Sequence, residues 1–210
     1  MQFDFSEDQR RLQDEVRRVL ADHSTSANVR RVLEGEADYC ADTWRELAAL
    51  GALGLAVDEE NGGAGMGLLE LCLVAEEAGR ALAAVPLASS IYQAAECIRR
   101  SGNAAAQAEW LPRLVSGEAI ATVIAPLHGQ SVLPAAPATL HNDRLSGTFH
   151  AGADGMAAAM AVVLVGDALV LLDLTQASVT RAAQKSLDPT RPLARIVCDG
   201  AWVEVLLPTG

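Results

Sequence analysis

The chain has 210 residues, half of them hydrophobic, and a formal net charge of −11 at neutral pH. That is enough apolar material for one large core or two small ones. The acidic balance, with no compensating basic stretch, argues against nucleic acid and anionic membrane surfaces as partners. Aromatic residues make up only 4%, so the core has to be assembled from Ala, Leu and Val through many small contacts. Cys40, Cys72, Cys97 and Cys198 are far apart and form no CxxC pair, which reads as free thiols in a reduced compartment. The N-terminus shows no secretory pattern, and the longest apolar run, Met156 to Val165, is too short to cross a bilayer. A cytoplasmic protein with no membrane role is the expectation.

In chain order, residues 1–117 read as helices. Ser6 and Gln9 make a capping box, and Leu12, Val16, Val19 and Leu20 follow at helical spacing. Thr43 and Glu46 repeat the capping pattern ahead of a Trp44, Leu47, Leu50 stripe that Gly51 terminates. Residues 58–67 hold four glycines and read as a loop, suited to close ligand approach or to a mobile connector. Leu68 to Arg80 is the next helix, with Glu70, Glu76 and Glu77 on its polar side. Val85–Pro86 breaks it from a helix over Leu87 to Ser101, closed by Gly102. A last helix runs from Ala104 to Trp110 and ends near Pro112.

From residue 118 the period becomes extended. Ile120 to Ile124 is a short strand, and Asn142–Asp143 marks a turn between two more. Gly166–Asp167 between two Val- and Leu-rich runs matches a two-residue primed hairpin. Val179–Ala182, Arg195–Cys198 and Trp202–Leu207 are further strands. Helices followed by strands predict an α+β fold, a helical domain over 1–117 and a small antiparallel β domain over 118–210.

The residues alone assemble no catalytic constellation. His23, His128, His141 and His150 lack metal-ligand spacing, Ser89–Ser90 is in no nucleophile elbow, and no phosphate cradle is present. Glu76 and Glu77, being adjacent, do not face one another on a helix and read as surface carboxylates. No catalytic and no metal-binding residue is therefore assigned.

Several collinear segments do carry a resemblance. Phe3 to Leu12 resembles the opening of the acyl-CoA dehydrogenase family. Trp44 to Val57 followed by Glu59-Glu-Asn-Gly-Gly-Ala-Gly65 resembles its W…L…G…PEEYGGAG segment. Leu71 to Gly79, Trp110-Leu-Pro with Gly117-Glu118, Leu145-Ser-Gly-Thr148 and Leu187-Asp-Pro-Thr-Arg191 are similar to further family elements, in order along nearly the whole chain. At the family's TEPxAGSD stretch this chain has Ile124 to Ser131, keeping only Pro126 and Gly129. At the family's WITNA it has Ala151-Gly-Ala-Asp-Gly155.

The resemblance implies FAD as cofactor, with Gly129 the one motif-matching contact. It also implies an acyl-CoA thioester as substrate, whose α-proton goes to a base while the β-carbon passes hydride to the flavin. The family's base is a Glu of a C-terminal helical domain that the chain is expected to lack. Electron-transfer flavoprotein or a similar acceptor, and a homo- or hetero-oligomer with another acyl-CoA dehydrogenase subunit, are the implied partners. The drifted motifs resemble the less active subunits of bacterial heteromeric enzymes acting on sterol side chains. The alternatives are a non-catalytic interaction subunit and a truncated fragment.

Overall fold

A computed structural model describes residues 4–125 and 138–208. The helical half contains α1 (Glu7–His23), α2 (Ser26–Leu33), α3 (Ala41–Ala49), α4 (Leu68–Arg80), a π-helical stretch over Leu87–Ala95 running directly into α5 (Glu96–Ser101), and α6 (Ala104–Val115). The β half contains β1 (Ala121–Ile124), β2 (Thr139–His141), β3 (Arg144–Ala153), β4 (Met160–Val165), β5 (Ala168–Asp173), β6 (Val179–Gln184) and β7 (Leu193–Leu207). The α+β order is as the sequence predicts.

The Ser6 capping box forms as expected, Ser6 Oγ accepting from Gln9 N–H and Gln9 Oε1 accepting from Ser6 N–H. Four local expectations are corrected. Thr43 is not a cap: α3 starts after Cys40, and the fully buried Thr43 hydroxyl donates to His23 O at 3.0 Å, tying α3 to the end of α1. Pro112 does not end α6, which continues to Val115. Leu111 and Leu114 on either side are fully buried, and their packing outweighs the one helical bond the proline removes. The Leu87–Ala95 segment is wound as a π-helix before regaining α geometry. Glu77 is not on a polar surface; its side chain is fully buried.

The glycine-rich loop serves the chain's own packing. Its backbone returns onto residues 54–57, with Ala64 N–H donating to Gly54 O, Gly65 N–H to Val57 O and Met66 N–H to Leu55 O. A Cβ on Gly63 would lie 2.0 Å from Val57 O, so only glycine permits this approach.

The seven strands run in the order β1-β4-β5-β7-β3-β2, with β6 also paired to β7. All pairings are antiparallel except β1 with β4, which is parallel because the intervening chain passes through the β2–β3 hairpin before returning. The runs 195–198 and 202–207, expected as separate strands, belong to one strand. Gly200 (φ +64°) is absorbed as an irregularity, its N–H donating to Ser146 Oγ at 2.9 Å. β7 pairs with β3 and β6 along its first part and with β5 along its last, and so links the whole sheet.

The two halves share one continuous core, in which the π-helix packs on β1. Polar ties cross the seam. Ser90 Oγ accepts from Ala121 N–H at 3.1 Å and Arg191 Nη1 donates to Val85 O at 2.7 Å, while Trp44 Nε1 donates to Gly117 O at 3.1 Å at the end of the helical half.

Candidate functional site

The seam between the halves holds a cavity of about 370 Å³. One wall is apolar and helical: Ala75 and Ala78 from α4, then Val85, Leu87 and Ala88 leading into the π-helix. The opposite wall is the β6–β7 loop with Asp188, Thr190 and Arg191, and Tyr92 contributes from the π-helix. Apolar walls with a few polar groups at one side are the usual make-up of a site for an apolar ligand carrying a polar end. Leu82, at 75% exposure and with φ +49°, stands at its edge.

The polar groups here are held firmly. Asp188 Oδ1 accepts from the Thr190 hydroxyl at 2.6 Å and from its amide at 2.9 Å. The hydroxyl bond first, then the amide and the nearby Arg191, hold the Asp188 carboxyl below its ordinary value. Tyr92 donates its hydroxyl to Leu71 O at 3.0 Å, and burial raises its phenol above the ordinary range. A second groove is lined by Tyr92, Cys97, Val123, Leu169 and Leu207. Its carboxylate, Glu96, is paired with Arg99 and Arg100, and Arg99 most strongly lowers its pKa.

Removing an α-proton from a thioester takes a base whose proton affinity is matched to the task. The carboxylates facing these concavities are both engaged and both pushed the wrong way. Asp154 is pushed the other way, burial raising its carboxyl above the ordinary value, yet it faces Ser89 in the protein interior, only 4% exposed. Among the described residues no group of three or more His, Cys, Asp and Glu is arranged to hold a metal.

Gly129, the flavin contact that the resemblance implies, lies outside the described residues, as does His128. The second segment that the resemblance makes flavin-facing, Ala151 to Gly155, is described, and several of its backbone groups are engaged within the chain. Ala151 N–H donates to Gln184 Oε1, Asp154 N–H to Pro192 O and Gly155 N–H to Gly152 O. Ala153 O accepts from the Thr122 hydroxyl at 2.6 Å. Arg181 Nη1 donates to the carbonyls of Gly155, Met156 and Ala158. Apart from the inward Asp154, the residues are two alanines and two glycines, so the segment offers a flavin no side-chain hydrogen-bond donor. Sequence reasoning missed Arg181 and Asp154, because only the fold reveals that both are turned onto the same corner.

Comparison with known proteins agrees with this architecture. The model of the acyl-CoA dehydrogenase N-terminal domain matches residues 6–118. Mitochondrial isovaleryl-CoA dehydrogenase of Pongo abelii is 36% identical over 118 residues, 55% of this chain and 28% of that protein. Among solved structures, a Tcur3481–Tcur3483 steroid acyl-CoA dehydrogenase variant superposes with TM-score 0.84 at 32% identity, covering 96% of this chain and 57% of that one. The ChsE4–ChsE5 complex from Mycobacterium tuberculosis does so with TM-score 0.83 at 27% identity, covering 97% and 57%. The chain thus spans little over half of these solved chains and under a third of that curated relative. With over half of its residues matched by the family's N-terminal model and its sheet in the same arrangement, this chain belongs to the acyl-CoA dehydrogenase family.

Proposed function

We propose that the chain is a partner-dependent acyl-CoA dehydrogenase subunit: it receives the acyl part of an acyl-CoA thioester in the seam cavity while a second subunit supplies the base. The observation that carries this reading is the likeness, over 96% of the chain and at 32% identity, to a steroid acyl-CoA dehydrogenase named for two components. The Ala151–Gly155 corner and the lowered carboxyls of Asp188 and Glu96 support it, since among the described residues the corner offers no side-chain flavin donor and the two cavity carboxylates are not suited to act as base. In such an assembly FAD would supply hydride acceptance, with contacts from residues other than this corner, and electrons would pass on to electron-transfer flavoprotein or a similar acceptor. The apolar wall of Ala75, Ala78, Val85, Leu87 and Ala88 binds hydrocarbon, and the Asp188–Arg191 loop lies beside the polar end.

The test is purification of the chain alone and after co-expression with a base-bearing acyl-CoA dehydrogenase subunit, followed by acyl-CoA oxidation with an artificial electron acceptor. Turnover only in the pair is expected; turnover by the chain alone refutes partner dependence. The corner's geometry also favours a second reading, a purely interacting subunit that holds no flavin. Equal flavin release from the pair and from the partner alone would select it.

A further inference from the structure

Asp154 occupies a position that the proposed chemistry does not use, yet it is built with unusual care. It is a buried carboxylate with left-handed backbone (φ +55°), a conformation that Asp tolerates better than most non-glycine residues. Its Oδ2 accepts from the Ser89 hydroxyl at 2.6 Å, and its N–H donates to Pro192 O at 2.8 Å. Ser89 directly follows Ala88, which lines the helical wall of the seam cavity, and Pro192 directly follows Arg191, which lines the loop wall. One residue thus grips both walls. Arg181 fixes the grip from behind through the carbonyls of Gly155, Met156 and Ala158, and Arg191 returns to the helical side through Val85 O.

We propose that Asp154 is a positioning residue that sets the separation of the two walls of the seam cavity, and so the size of acyl group the cavity admits. The proposal deepens the acyl-CoA reading and rests on it for the identity of the occupant. The bracing itself rests only on the hydrogen bonds above. A buried carboxylate is a costly way to hold a corner, and its retention here is explained by its reach to both walls at once. The groups acting on it are Ser89 from the π-helix, Arg191 from the β6–β7 loop, and, through the adjoining carbonyls, Arg181 from β6.

The experiment compares wild type, Asp154→Asn, Asp154→Ala and Ser89→Ala as full chains, with two readouts. Hydrogen exchange reports residues 85–92 and 188–192. Asp154→Ala is expected to speed exchange in both segments, Asp154→Asn to restore wild-type protection at pH 7, and Ser89→Ala to loosen the helical wall. Wild-type protection should vary with pH through the carboxyl's titration, whereas Asp154→Asn should be flat. Calorimetric titration with butyryl-, octanoyl- and palmitoyl-CoA reports occupancy, and Asp154→Ala should raise the palmitoyl-to-octanoyl affinity ratio by about tenfold. If wild type binds none of the three thioesters, the acyl-CoA reading of the cavity fails and the proposal fails with it as a statement about acyl size. Faster exchange in both walls would then still establish the brace. Unchanged exchange in either wall of Asp154→Ala overturns it. Should Asp154→Ala not fold, Ser89→Ala decides the helical wall: wild-type exchange there sinks the proposal.

Discussion

Glu77 offers the most quantitative test of the helical half. Its carboxylate, fully buried, accepts from Arg17 Nε and Nη2 at 2.9 Å each, from Gln13 Nε2 at 3.0 Å and from Arg80 Nε at 3.2 Å, binding α1 to α4. Hydrogen bonds to charged groups contribute about 1.5–3 kcal/mol each when buried. Here both arginine side chains are about half exposed, at 48% and 57%, and water replaces part of what is lost. Glu77→Gln, which keeps the shape but turns an amide toward facing donors, is therefore expected to cost about 2 kcal/mol in total. The Arg17 hydrogen bond chiefly holds the Glu77 carboxyl below its ordinary value of 4.5. The unfolded chain then binds the proton more tightly, so this stabilisation is full above pH 4.5 and is lost as pH falls through the folded-state value. Urea unfolding followed by far-ultraviolet circular dichroism should show the full difference at pH 7 and a shrinking one below pH 4.5. A loss under about 0.5 kcal/mol at pH 7, the level of an ordinary surface pair, or a loss independent of pH, would refute the reasoning.

Asp154 has the opposite sign. Burial raises its carboxyl above 3.8, so the folded chain holds the proton more tightly and stability falls as pH rises through the raised value. Asp154→Asn should melt at or above the wild-type temperature at pH 8 and lose that advantage toward pH 4, as thermal scans would show. Gly63→Ala, whose Cβ would meet Val57 O at 2.0 Å and Val57 C at 2.4 Å, should destabilise by more than about 3 kcal/mol. Gly79→Ala, in α4 with open space around the added methyl, should stabilise by about 0.5–1 kcal/mol in the same urea titration. Trp44→Phe removes the indole donor to Gly117 O and should cost about 2 kcal/mol, visible in the same measurement.

Features set by local chemistry were legible in the sequence. The Ser6 cap, the Leu68–Arg80 helix, the left-handed stops at Gly51 and Gly102, and the Asn142–Asp143 and Gly166 turns all depend on residues within a few positions of one another. What escaped depends on partners far along the chain. Thr43 carries a capping signature, but its hydroxyl is drawn to His23 O, 20 residues away. Glu77 reads as one more surface acid until α1 brings Arg17 and Gln13 to it from 60 or more residues away. The runs ending in Cys198 and beginning at Trp202 read as two strands, but β3 pairs with residues on both sides of Gly200 and so joins them into one. The candidate site was the least legible part. Ala151 to Gly155 shows its loss of flavin side chains in sequence, but the engagement of its backbone by Gln184, Pro192 and Arg181 exists only once β3, β6 and β7 are side by side.

The proposed dependence on a second subunit is decided by oxidation of an acyl-CoA series under single-turnover conditions. No bleaching of flavin absorbance and no enoyl product are expected from the chain alone, and both are expected from the chain joined to a base-bearing subunit. Enoyl-CoA formed by the purified chain by itself would contradict it.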